Sequence, residues 1–207
     1  MKPITKITKY WSVQKILDDV PGSVDCMIEY GLDCFACGAD KSETLEEGTQ
    51  AHGLSSEDLN NLIDEINSTW EKHRLQSLKK PEKSDFQLQQ IQEGNKTYYK
   101  IASLMFTQKA YQAILELQPG DKAFLKITLQ AGGCSGYSYI YDYKQEASSD
   151  DYQFQISDKL TLLINPFSYD KLANSIVDFQ SGLQGSGLIF HNPNSKQNCH
   201  CGVSVGF

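Results

Sequence analysis

The chain has 207 residues, of which 40% are hydrophobic and 22% charged, with a formal net charge of −7. This is a globular composition, long enough for one large domain or two small ones. The negative balance and a single arginine, Arg74, argue against a nucleic-acid footprint, and no apolar run approaches the ~20 residues that span a bilayer.

The opening stretch MKPITKITKYW carries three lysines but no apolar core region, no small-residue cleavage site and no arginine. Neither a secretory signal nor a transit peptide is expected, and a cytoplasmic location, or an equivalent reducing compartment, is the default expectation. Ser12 caps a run in which Val13, Ile16, Leu17 and Val20 recur at helical spacing, and Pro21-Gly22 stops it. Ser23 caps a further turn or two carrying Val24, Met27 and Ile28, ended by Gly31. Thr44 and Glu47 have capping-box spacing, as do Ser55 and Asp58. The latter pair opens a longer helix with Leu59, Leu62, Ile63, Ile66 and Trp70 on one stripe. Residues 1–75 thus read as an acidic unit of about four helices, only marginally stable by itself.

Residues 76–96 are polar, contain Pro81 and lack a strong period, as a linker does. From residue 97 to 207 the pattern becomes β-rich. YYKIASLMF predicts a strand, Thr107 caps a helix carrying Ala110, Tyr111, Ile114 and Leu115, and Pro119-Gly120 stops it. In KAFLKITLQ, Ala123, Leu125, Ile127 and Leu129 alternate with Phe124, Lys126, Thr128 and Gln130 at the strand period. YSYIYDY, YQFQI, LTLLI, SIVDFQ and GLIFH predict further strands, and SYDKLANS a short helix. The fold class expected is α+β, an all-helical front followed by a β-rich domain.

Six cysteines are too few for a disulfide framework at this length. In a reducing compartment they read as metal ligands, redox groups or buried small residues. Cys199 and Cys201 stand one residue apart, the latter six positions before the last residue. In an extended segment both thiols face one way, and thiolates are the ligands of iron–sulfur clusters and zinc. Cys134 lies in AGGCSGYSY, where Gly132, Gly133 and Gly136 permit positive φ and close backbone approach. By itself this is equally a glycine turn around a buried cysteine.

GGCSGYSYIYDY followed by GLIFHNPNSKQNCHCGVSVGF resembles the A-type iron–sulfur cluster carriers, the HesB/IscA family, over residues 97–207. The resemblance implies that Cys134, Cys199 and Cys201 bind a cluster (2Fe–2S or 4Fe–4S) or iron, received from a donor scaffold and passed to recipient apoproteins, without turnover chemistry. The family has glycine where this chain has His200. In an extended segment His200 points away from the thiols, a tolerated change; restriction of the segment or a fourth ligand are the alternatives. Three thiolates are one short of the four a cluster commonly takes, which a homodimer with the cluster at its interface resolves. Ligands with few packing contacts also release cargo at low cost.

The front half, with MIEYGLDCFACGADKSETLEEG, resembles the small helical domain associated with hybrid-cluster proteins. Cys34 and Cys37 have the Cys-x-x-Cys spacing of redox dithiols and half-zinc sites. They are redox or auxiliary-ligand candidates, with structural zinc or two ordinary thiols as alternatives. Cys26 falls beside Met27 on the apolar stripe and is expected in the core. His52, His73 and His191 have no partner motif; the tyrosines 137, 139, 141 and 143 read as one face of a sheet, and Asp18-Asp19 and Asp150-Asp151 as solvated faces. Two other functions fit the same residues. One is a thiol–disulfide oxidoreductase using Cys34 and Cys37 with the cluster domain as electron relay, the other a regulatory zinc or iron binder.

Overall fold

The Ser12 hydroxyl accepts the Lys15 N–H at 3.2 Å and starts α1 (Val13–Asp19), which buries Val13, Ile16 and Leu17. A computed structural model describes residues 6–32, 42–77, 81–133, 135–182, 185–198 and 204–207. Helix α2 (Ser23–Glu29) begins at Gly22, in the left-handed region at φ 88°, so Ser23 is its first residue and not its cap. The glycine is required by crowding as well as by φ: a Cβ there would stand 2.6 Å from the His73 ring. The capping box predicted for α3 (Leu45–Ala51) is present, with Thr44 and Glu47 bonded reciprocally at 2.8 and 3.2 Å. Ser55 and Asp58 make the same exchange at 2.9 and 3.1 Å at the head of α4 (Ser56–Ser77), whose Leu59, Leu62 and Ile66 face the core.

The polar stretch 76–96 holds the end of α4, a 3-10 turn at Lys83–Phe86 and strand β1 (Gln89–Glu93). Strand β1 lies at a sheet edge; only its Ile91 is half-buried and neither face packs on the core, which is why its residues carry no hydrophobic period. YYKIASLMF is two strands, β2 (Lys96–Ile101) and β3 (Leu104–Thr107), joined at Ala102 with φ 54°. Thr107 caps α5 (Gln108–Glu116) through its hydroxyl, 3.1 Å from the Ala110 N–H.

Strand β4 (Ala123–Ala131) buries Ala123, Leu125, Ile127 and Leu129 as its alternation predicts. There follow β5 (Tyr137–Lys144), β6 (Tyr152–Ser157), β7 (Leu160–Ile164), α6 (Pro166–Lys171, capped by Asn165), β8 (Ile176–Gly182), β9 (Gly185–His191), β10 (Gln197–Asn198) and β11 (Ser204–Gly206). They form two mixed sheets, in the orders β1-β2-β3-β8-β9 and β10-β11-β5-β4-β7-β6. The architecture is α+β.

One apolar core runs from the helices into the sheets, with Val24 and Met27 of α2 in the same cluster as Tyr137, Phe167 and Val205. Each fully buried aliphatic or aromatic side chain stabilises by roughly 1.5–3 kcal/mol, so the helical unit gains much of its stability from this seam. His73 of α4 meets the ring of Phe167 edge-on, centroids 5.1 Å apart. The acidic pair Asp150-Asp151 departs from a wholly solvated face. Asp151 has 3% of its side chain exposed and its carboxylate lies 2.8 Å from the Lys126 ammonium, because the turn into β6 folds back over the outward face of β4.

Candidate functional site

Cys134, Cys199, Cys201 and the neighbouring His200 lie outside the described residues, as do Cys34 and Cys37. The frame on either side of them is described. Ahead of and behind Cys134, the Gly132 N–H donates to the Gly136 carbonyl at 2.8 Å and closes a turn. Gly133 has φ 80°, and a Cβ on it would stand 2.6 Å from the Ser204 hydroxyl and 2.7 Å from that of Ser138. Only glycine fits both the backbone and the wall.

Ser204 is the first described residue after Cys201, and it is buried. Its Oγ accepts the Ser135 N–H at 3.0 Å and donates to the Tyr137 carbonyl at 2.9 Å. Strand β11 pairs antiparallel with the start of β5, Ser204 opposite Ser138 and Val205 opposite Tyr137. On its other side β11 pairs with β10, Asn198 opposite Val205. The residues that bracket Cys134 and those that bracket Cys199 and Cys201 therefore belong to one hydrogen-bonded unit.

Helix α2 lies against this unit. A Cβ at Gly136, φ 105°, would meet Val24 at 3.2 Å and Ile28 at 3.3 Å. The Asp25 carboxylate is 3.4 Å from the Lys171 ammonium; burial pushes the carboxyl up and Lys171 partly offsets that. Burial, and then the charge of Asp25, push the Tyr137 phenol far up, so it stays protonated. Cys26 is in the core as expected, its Sγ 3.4 Å from the Thr69 hydroxyl, and burial raises its thiol. That makes it a poor nucleophile. Leu32, two residues before Cys34, is buried and its N–H donates to the Met27 carbonyl at 2.9 Å.

The Asn-Pro-Asn stretch is structural. The side-chain amides of Asn192 and Asn194 both donate to the Lys171 carbonyl, at 3.0 and 3.1 Å, and Asn194 also reaches the Ala173 carbonyl at 2.8 Å. The tyrosines of β5 tie layers together: Tyr139 stacks on Phe190 at 4.6 Å, the Tyr143 hydroxyl donates to the Ile114 carbonyl at 2.6 Å, and the Tyr141 oxygen accepts the Leu188 N–H at 3.1 Å. Burial raises Tyr143 to about 12.

Residues 102–203 match the family described as iron-sulphur cluster biosynthesis, and residues 7–59 match a domain of unknown function, DUF1858. An iron-sulfur cluster insertion protein, ErpA, of Acinetobacter baumannii is 37% identical over 84 residues, which are 41% of this chain and 75% of the relative. The chain belongs to the iron–sulfur cluster biosynthesis family. A putative ErpA of Aromatoleum aromaticum is 38% identical over 80 residues, 39% of this chain and 68% of that protein. Among solved structures, IscA with a 2Fe-2S cluster is 29% identical, covering 50% of this chain and 96% of that one at a TM-score of 0.44. Membership of the cluster biosynthesis family agrees with the resemblance carried by the Gly-Gly-Cys-Ser-Gly and Asn-Pro-Asn stretches, and with an iron–sulfur cluster as the group the chain handles.

In this family member His52 ends α3 at the surface, His73 lies at the seam with Phe167, and His191 is exposed on β9. Among the described residues no three His, Cys, Asp or Glu side chains converge as a metal site, and no helix is long and apolar enough to cross a membrane. Sequence reasoning missed Ser204, Asp25 and Lys171. Only strand pairing and tertiary packing bring these together, and nothing local to GVSVGF or YDKLAN marks them.

Proposed function

We propose that this chain is an A-type carrier that binds an iron–sulfur cluster through Cys134, Cys199 and Cys201 and passes it to recipient apoproteins. The observation that supports the reading best is the Ser204 bridge. It joins the turn containing Gly133 and Ser135 to the strand that begins three residues after Cys201. Covalent continuity puts Cys134 one residue from both Gly133 and Ser135. A ligand set drawn from these two stretches needs such a joint.

The cluster is cargo, 2Fe–2S or 4Fe–4S, received from a donor scaffold. Three thiolates per chain leave a fourth position, which a second copy fills in a homodimer with the cluster between subunits. The protein performs no turnover chemistry and works in a reducing cytoplasmic compartment. Cys34 and Cys37 act as an auxiliary dithiol that assists loading or release. Supporting this, α2 rests on Gly136 of the Cys134 turn, and the chain leaves α2 toward Cys34 through buried Leu32.

The test is anaerobic reconstitution with iron and sulfide, followed by transfer to an apo-ferredoxin. Brown protein with acid-labile sulfide matching iron is expected, lost in Cys134→Ser and Cys201→Ser and kept in Cys34→Ser. Transfer must outpace assembly from free iron and sulfide. Colourless protein holding only zinc, or equal rates, would defeat the carrier reading.

A further inference from the structure

We propose that the helical front is a brake on cluster release, set by Asp25 and Lys171 as positioning residues; this rests on the carrier reading above. Lys171, at the end of α6, stands between α2, the residue that follows β11 and the Asn-Pro-Asn stretch. Its ammonium stands 3.4 Å from the Asp25 carboxylate of α2 and 4.4 Å from the ring centroid of Phe207, the residue after β11. Its carbonyl accepts from Asn192 and Asn194, which lead into β10. Phe207 in turn packs edge-on against Tyr137 at 5.6 Å, at the start of the strand that β11 pairs with.

One side chain thus connects α2 to the strand whose Ser204 holds the Cys134 turn. The same helix presses Val24 and Ile28 onto Gly136 of that turn. Helix α2 is therefore fastened at both halves of the ligand frame. The Asp25 and Lys171 side chains are 32% and 27% exposed, so solvent screens the pair only in part. Release requires β11 and the turn to separate, a local opening whose free energy is set by the contacts broken. With α2 docked, that opening also pulls Phe207 off the Lys171 ammonium that Asp25 holds in place, and uncovers the buried Val24. Withdrawal of α2 removes both obstacles, so the position of the helical front sets how long the cargo is held.

The experiment uses the full chain, wild type and the variants Asp25→Asn, Lys171→Met and Asp25→Glu. Each is reconstituted anaerobically with iron and sulfide and mixed with apo-ferredoxin. Asn and Met are expected to keep the same cluster content and to release it about fivefold faster, the effect of losing one partly exposed ion pair. Glu keeps the pair and is expected to behave as wild type. In parallel, amide hydrogen exchange on cluster-free protein is expected to quicken at residues 204–207 and 135–138 in Asn and Met, and not in Glu. Unchanged release, unchanged exchange, or a Glu variant as fast as Asn would each overturn the brake. A wild-type chain that takes up no cluster defeats the carrier reading instead, and the exchange measurement then decides by itself whether Asp25 and Lys171 fasten the frame.

Discussion

The Ser204 hydroxyl stands 2.6 Å from the point where Gly133 would carry a Cβ, and the two residues sit in the stretches that bracket the three candidate ligand cysteines. Gly133→Ala forces a side chain into a left-handed conformation and against two hydroxyls, at a cost of about 1–3 kcal/mol. Ser204→Ala leaves the Ser135 N–H and the Tyr137 carbonyl without their shared partner, at about 1–2 kcal/mol. In the double variant the alanine methyl enters the space the hydroxyl leaves, so the costs are less than additive. Urea denaturation of the set checks this, and strict additivity would show that the residues do not share a contact.

Gly136 is the point where the helical front meets the turn. Gly136→Val, at φ 105° and against Val24 and Ile28, is expected to lift α2 away. The chain's two tryptophans, Trp11 and Trp70, are both in the helical unit, so their fluorescence reports that unit while far-UV circular dichroism reports the whole. In the wild type the two thermal transitions are expected to coincide, because the helices and sheets share one core. In the variant fluorescence is expected to change several degrees earlier. Coincident transitions in both proteins would mean that cooperativity does not run through this seam.

What could be read in advance follows from how local the cause is. The caps at Ser12, Thr44, Ser55 and Thr107 need only their own next turn, and each is found bonded. The alternation in β4 needs only that one face be buried. Strand β1 was illegible because neither of its faces packs on the core, only Ile91 being half-buried, whereas β6, also at a sheet edge, buries Phe154 and Ile156 and shows its alternation. The glycines around Cys134 announced an unusual backbone, but not the wall they press on, since Ser204 arrives from 69 residues beyond Ser135. Lys171 lies in SYDKLANS, a stretch that predicts only a short helix. Its weight comes from Asp25, 146 positions earlier, and no local pattern encodes that meeting.

Asp151 depends on one partner. With 3% of its side chain exposed and Lys126 at 2.8 Å, loss of the ammonium leaves a buried carboxylate uncompensated. Lys126→Met is expected to destabilise by about 3 kcal/mol. Adding Asp151→Asn to it is expected to recover part of the loss, because the remaining group is neutral. The comparison is made by chemical denaturation at pH 7, and a double variant no more stable than Lys126→Met would remove the charge from the explanation.

His73 gives the seam a pH dependence of definite sign. Burial against Phe167, and then the Lys171 charge, hold its imidazole below the ordinary 6.5. As pH falls through 6.5 the unfolded chain takes up a proton that the folded chain still refuses. Stability therefore declines with falling pH until the folded imidazole itself titrates, and the full contribution is present only above 6.5. The raised Asp25 carboxyl acts in the opposite sense at pH values above 3.8, the folded state binding its proton first. Melting temperatures from pH 8 to 5.5 are expected to fall more steeply in wild type than in His73→Gln, with the two curves parallel above pH 7.5. Equal slopes through the acid range would show that the imidazole is not held neutral by the seam. A shallower slope in His73→Gln locates part of the acid sensitivity at the contact between α4 and α6, where the helical front meets the cluster-biosynthesis domain.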